Sequence, residues 1–203
     1  MASSPTAGTR EMPIGEALAL AERLRIEGRL AESDTLCRQI IAARPELADA
    51  HHLLSLVALQ SGRLGEAVDH VTRAAELAPQ SALLFANLTE ILRQAGKHKE
   101  AVEAGRRAVE NDPNLPIAWG NLGAALFELK EFEEAAKAAR GAIKADPNFA
   151  QAHSNLGNAL HGLKRFDEAI VAYRQALALS PDYADAWANL GTALHHNGVY
   201  AEG

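Results

Sequence analysis

The stretch WANLGTAL at residues 187–194 occurs three more times in the chain in altered form. The chain has HSNLGNAL at 153–160, WGNLGAAL at 119–126 and FANLTEIL at 85–92, so each copy begins 34 residues after the one before it. The same interval separates five prolines, Pro45, Pro79, Pro113, Pro147 and Pro181. A fixed period of this length indicates a chain built from repeated structural units.

The prolines divide the chain into repeats of equal length. These are residues 14–47, 48–81, 82–115, 116–149 and 150–183, with a partial sixth repeat at 184–203. Below, a repeat position is counted from the first residue of its repeat. Residues 1–13 are rich in small and polar residues, and we expect them to form a flexible leader outside the fold.

Apolar residues follow helical spacing twice within each repeat. In the fifth repeat Leu156 and Leu160 share one face of a first helix, and Phe166 and Tyr173 share one face of a second. A turn between the two helices is predicted at position 15, which is occupied by Gly28, Gly62, Gly96, Lys130, Lys164 and Gly198. The proline then ends the second helix, because it has no N–H to donate and disfavours helix in the residue before it.

A single pair of helices has too few large apolar side chains to offset the ordering of its whole backbone. Each pair must therefore share its faces with the next pair. The sequence predicts an all-α fold in which helix pairs stack along one direction as a solenoid.

Composition limits the function. Among 203 residues, 26 acids and 20 bases give a formal charge of −6 without a basic block, so nucleic acid is not an expected partner. The chain has one cysteine and no long apolar run, which predicts a cytoplasmic protein that does not enter a membrane. No cofactor motif or metal-ligand spacing is present in the sequence, and we expect neither a cofactor nor a metal.

The motif W-x-x-L-G-x-x-L, followed by a small residue, F-x-x-A-x-x-x-Y and P, resembles the tetratricopeptide repeat over residues 14 to 203. The resemblance implies a right-handed superhelical solenoid of antiparallel helix pairs. It also implies that positions 2, 5, 6, 9, 12 and 13 of the first helices line an inner groove. The array further resembles those that precede the catalytic domain of O-linked N-acetylglucosamine transferases.

In that geometry position 6 places a row of asparagines in the groove, namely Asn87, Asn121, Asn155 and Asn189. An asparagine amide can pair with both the N–H and the C=O of a peptide unit, so the row predicts a site for an extended peptide. The alternative is that these amides hydrogen-bond a neighbouring helix.

Other inner positions extend the candidate site. An apolar strip is predicted in the first half of the groove, formed by Leu53, Leu56, Leu83, Ile117 and Phe127, and polar residues follow towards the C-terminal end, namely Asn158, His161 and His195. The strip would take apolar side chains of a partner or be filled by the leader itself.

The sequence therefore predicts a scaffold that binds a protein or peptide and has no catalytic residue. Two alternatives stay open. The chain is the substrate-recognition array of a longer, glycosyltransferase-like enzyme, or it is a scaffold that assembles with itself. The sixth repeat has a first helix but not a full second one, so we expect a longer parent protein or a homo-oligomer formed through that helix.

Overall fold

The computed structural model describes residues 12–201 of the chain, and the side chains of residues 12–198. This part contains eleven α-helices and no strand. The chain divides into two compact units, Met1–Leu77 and Ala78–Gly203. Of the predicted leader, residues 1–13, only Met12 and Pro13 fall within the described residues.

The first compact unit consists of α1 (Ile14–Ile26), α2 (Leu30–Ala43), α3 (Ala48–Gln60) and α4 (Leu64–Leu77). Each helix contacts the next one along the chain, and α1 also contacts α3. The core between them is built from small and aliphatic residues such as Ala21, Cys37 and Leu54, which are fully buried.

The second compact unit consists of α5 (Ala82–Gln94), α6 (His98–Asn111), α7 (Pro116–Glu128), α8 (Phe132–Ala145), α9 (Ala150–Gly162), α10 (Phe166–Leu179) and α11 (Ala184–Ala201). Each of its first helices contacts the first helix of the following repeat, in the order α5, α7, α9 and α11. The first helices therefore lie side by side and form one surface of this unit.

Turns and helix ends fall where the 34-residue period predicts them. The backbone is left-handed at position 15, with φ of 78°, 74° and 73° at Gly28, Gly62 and Gly96, and of 61° and 62° at Lys130 and Lys164. Second helices end two residues before each proline, and the residue between is extended, as at Asp146 before Pro147 (φ −145°, ψ 104°).

The prediction of a turn at Gly198 is wrong, because α11 continues through that residue to Ala201. A glycine permits the left-handed conformation but does not impose it. At each of the five left-handed turns, the helix that follows packs against the helix that precedes it.

A hydrogen bond that the sequence analysis did not identify ties position 4 to the preceding proline. A ring N–H at position 4 donates to the proline carbonyl six residues earlier, from His51 to Pro45 (3.1 Å), Trp119 to Pro113 (2.8 Å), His153 to Pro147 (2.9 Å) and Trp187 to Pro181 (2.8 Å). Phe85 has no such N–H, and the Asn111 side-chain amide donates to the Pro79 carbonyl instead (3.0 Å). Histidine thus replaces tryptophan here because both rings carry a donor.

Glycines let the helices of a pair approach closely. A Cβ added at Gly157 would lie 2.5 Å from the ring of Tyr173, which fills the space beside α9.

Among the described helices, none combines the length and apolar character needed to cross a bilayer.

Candidate functional site

The surface formed by the first helices of the second compact unit contains an open cavity of about 320 Å³. Its lining comes from α5, α7, α9 and α11 together with Tyr183, and consists of Arg93, Gly123, Ala124, Phe127, Glu128, Gln151, Ser154, Asn155, Asn158, Tyr183, Asp185, Ala188 and Asn189. Apart from Gly123 and Tyr183, these residues occupy repeat positions 2, 5, 6, 9, 12 and 13. We call this cavity the groove.

Two of the position-6 asparagines hold neighbouring first helices together. The Asn121 amide donates to the Ala86 carbonyl of α5 (2.9 Å), and the Asn155 amide donates to the Gly120 carbonyl of α7 (3.2 Å). Asn121 is buried, with 6% of its surface exposed, whereas Asn155 is half-buried and lines the groove. Asn121 and Asn155 therefore each use one side-chain N–H to bond a neighbouring helix, which is the alternative that the sequence left open. The side-chain carbonyl and the second N–H of Asn155 are the atoms that can serve a ligand.

Asn158 is the centre of a second polar contact in the groove. Its Oδ1 accepts hydrogen bonds from the Tyr173 hydroxyl (2.8 Å) and from the Asn189 amide (2.9 Å). Tyr173 is buried, and burial raises the pKa of its hydroxyl well above the ordinary value of 10.0, so this group stays a donor. Because both bonds end on Oδ1, the amide of Asn158 is fixed with its N–H groups available to the groove.

Charge in the groove is predominantly acidic. Arg93 donates to both carboxylate oxygens of Glu90 (3.0 and 2.8 Å) and lies 3.5 Å from Glu128. The hydrogen bonds that Arg93 donates to Glu90 raise the pKa of the Arg93 guanidinium. Glu90 already balances the charge of Arg93. The carboxylates of Glu128 and Asp185 therefore leave the lining with a net negative charge.

Phe127 lines the groove and also a second, smaller cavity beside it, whereas His161 lines only the smaller cavity. Phe127 is half-buried against Phe132, with ring centroids 5.4 Å apart. His161 is half-buried and shares a hydrogen bond of 2.9 Å with His196. The pKa of His161 is lowered mainly by burial and also by the neighbouring His196. His195 is exposed beside His196. Among the described residues, no three histidine, cysteine or carboxylate side chains come together as metal ligands.

The remaining predicted residues are distributed between the two compact units. In the first, Leu53 belongs to the core with Ala21 and Leu54 rather than to an exposed strip, and Leu56 is half-buried. In the second, Leu83 is 53% exposed at the start of α5, while Asn87 and Ile117 are half-buried.

Sequence reasoning did not single out several lining residues that the structure places in the groove. Arg93, Glu128 and Ser154 were missed because repeated asparagines and apolar side chains form the more conspicuous pattern. Their positions, 12, 13 and 5, belong to the inner-face set, so the signal was present in the repeat alignment.

Family comparisons identify the repeats. Two models described as tetratricopeptide repeat match residues 16–82 and 92–159, and a third described as TPR repeat matches residues 163–198. No curated protein matches the chain in sequence.

Solved structures share the fold at low identity. The chain is similar to YrrB, a TPR protein with an unusual peptide-binding site, at 22% identity and a TM-score of 0.69, over 84% of this chain and 88% of that one. It is similar to MamA at 20% identity and a TM-score of 0.72, over 85% and 94% of the two chains. A thermophilic TPR protein of Thermus thermophilus is 20% identical with a TM-score of 0.68, over 90% and 99%.

The predicted fold class, an all-α tetratricopeptide-repeat solenoid of helix pairs, is confirmed by these structures together with the helices described above. The similarity to the arrays of O-linked N-acetylglucosamine transferases stays a prediction. The three matched segments together span more than half of the sequence, and the chain belongs to the tetratricopeptide-repeat family.

Proposed function

We propose that the chain is a protein-interaction scaffold and that the groove of its second compact unit binds an extended segment of a partner protein. Membership of the tetratricopeptide-repeat family supports the scaffold role. The observation that carries the groove proposal is a cavity of about 320 Å³ lined by the first helices of four consecutive repeats. The proposed role is binding and involves no catalytic residue, and a cytoplasmic location stays a prediction from the sequence.

Backbone recognition would come from the two amides described above. The N–H groups of Asn158 would donate to a carbonyl of the bound segment, and the side-chain carbonyl of Asn155 would accept from one of its N–H groups. Neighbouring helices lie about 8 to 10 Å apart, and an extended chain advances about 3.3 Å per residue. One first helix would therefore meet roughly every third residue of the ligand.

Side-chain preference would follow from the acidic lining. Glu128 and Asp185 favour a segment with a lysine or arginine, whereas an acidic segment would be repelled. Phe127 would pack against an apolar residue of the same segment. We therefore expect a ligand that combines basic and apolar residues.

Selection from a displayed library of random 12-residue peptides on the 203-residue chain would test the proposal. Binding of the selected peptides is then measured by fluorescence anisotropy with the double variant Asn155→Ala, Asn158→Ala. Loss of two hydrogen bonds, each contributing about 1 kcal/mol, corresponds to roughly 30-fold weaker binding.

The matched control is the double variant Asn114→Ala, Asn148→Ala, which removes two exposed asparagine side chains outside the groove. It should bind the selected peptides like the unchanged chain. Peptides that bind the groove variant and the control variant equally well would contradict the proposed site.

A further inference from the structure

Helix α11 has an exposed face on which large and small residues alternate. Trp187 is 56% exposed and Leu194 is 45% exposed. A Cβ added at Gly191 or Gly198 would meet nothing within 4 Å. These four residues are spaced by 4, 3 and 4, so they share one face of the helix.

The corresponding face is covered in the earlier repeats of the same compact unit. Leu126 and Leu160, which share position 11 with Leu194, are each 3% exposed. Trp119 shares position 4 with Trp187 and packs against Gly141 of α8 so closely that an added Cβ would lie 2.7 Å from its ring. In the fourth repeat this face thus packs a large side chain of the first helix against a glycine of the second helix.

Trp187 is held in the orientation that suits such packing. Its Nε1–H donates to the Pro181 carbonyl at 2.8 Å, as Trp119 does to Pro113. The ring is therefore positioned before any partner arrives, which lowers the entropic cost of covering it.

The exposed face is complementary to itself in the antiparallel direction. When α11 lies against a second α11 related by a two-fold axis, Trp187 faces Gly198 of the second copy, and Leu194 faces Gly191 of the second copy. All four large side chains of the pair then meet glycines. This is the packing seen between Trp119 and Gly141 within the chain.

Charge also permits this pairing. A two-fold interface brings identical surfaces together, so any charge at its centre meets a like charge. Residues 186–198 contain no aspartate, glutamate, lysine or arginine.

We propose that two copies of the chain associate through antiparallel pairing of their α11 helices, with Trp187 and Leu194 packed against Gly198 and Gly191 of the other copy. Asn189 lines the groove and lies two residues from Trp187, about 200° around the helix. The groove stays open in the dimer, which carries two binding sites and gains avidity for a partner with two segments.

The test is sedimentation equilibrium of the 203-residue chain from about 1 µM to about 1 mM, because an interface of one helix per chain lies at the small end for specific complexes. The mass should rise from 21.7 kDa towards twice that value. The single variants Leu194→Glu and Gly191→Lys should each weaken association at least ten-fold. The control is Val171→Glu, which changes a more exposed apolar residue on α10 and should leave association unchanged.

Mixing the two variants tests the register. A pair of Leu194→Glu with Gly191→Lys places the introduced carboxylate opposite the introduced ammonium group on one side of the interface. The original contact between Leu194 and Gly191 is kept on the other side, so the mixture should dimerise more tightly than either variant does alone. Recovery also shows that both variants are folded.

Three outcomes would overturn parts of the proposal. A chain that stays monomeric at all concentrations, or a dimer that Leu194→Glu leaves intact, overturns the pairing of α11 helices. Failure of the mixture to recover overturns the antiparallel register.

Discussion

Replacing Gly157 by alanine tests how repeats of this chain pack, because the same change at Gly191 provides a matched control. Both glycines occupy position 8 of a first helix. At Gly157 an added Cβ would lie 2.5 to 2.9 Å from three ring atoms of Tyr173, whereas at Gly191 it would meet nothing within 4 Å. In the monomeric chain, at protein concentrations below those at which the α11 helices would pair, the two variants therefore differ in packing alone.

The expected energies have opposite signs. Alanine is favoured over glycine in a helix by about 1 kcal/mol, so Gly191→Ala should be neutral or stabilising by up to that amount. At Gly157 the same gain is opposed by overpacking, which costs about 1 to 3 kcal/mol. Tyr173 cannot move aside freely, since it is buried and its hydroxyl donates to Asn158. The Gly157→Ala chain should therefore be less stable than the Gly191→Ala chain by about 1 to 3 kcal/mol.

Urea unfolding followed by far-ultraviolet circular dichroism measures the difference. With a slope near 2 kcal/mol per M, the two midpoints should differ by about 0.5 to 1.5 M. Hydrogen exchange of the α9 and α10 amides gives a local readout, which matters because repeats can open one at a time. Equal midpoints and equal exchange would refute the idea that Tyr173 requires a glycine at this position.

Three further outcomes are expected. Trp119→Phe should lower the free energy of unfolding by about 0.5 to 1.5 kcal/mol, because it removes the donor to the Pro113 carbonyl, as urea unfolding would show. Stability should decline as the pH falls below 6.5, the ordinary pKa of histidine. In the folded chain, burial and a neighbouring histidine lower the pKa of His70 and of His161, so the unfolded chain takes up protons at a pH where the folded chain does not. Urea midpoints at pH 7.5 and about pH 5 would show this loss. Cys37 is fully buried with its pKa raised to about 11, so a thiol reagent at about pH 8 should react with the native chain only at the rate of its unfolding.

The helices and turns were predictable because local chemistry repeats at a fixed interval. Even Lys130 and Lys164 were identified as turn residues, and they adopt the left-handed backbone that glycine adopts at the other turns. Gly198 fails this rule because the conformation there depends on packing that local sequence does not encode. The repeat pattern therefore predicted a shorter α11 than the structure has.

The groove was predictable in outline but not in its bonds. Repeat positions located its lining, yet Asn121 bonds the backbone of Ala86, a partner 35 residues away on another helix. The balance of Arg93 by Glu90 likewise depends on how two side chains turn on one helix surface. Spacing gives the face on which a side chain lies, whereas its partner depends on distances of a few ångströms.

The asparagines at position 6 carry a consequence for how such arrays diversify. Asn121 and Asn155 each join two repeats through a bond to backbone, so a substitution of either would loosen the stack. A substitution of Asn155 would also alter the groove. Related chains that acquire new ligands should therefore vary at Gln151 and Asp185, which line the groove at position 2, and retain the amide beside them. The residues that would set ligand preference and the residue that holds neighbouring repeats together are therefore different residues of the same helix.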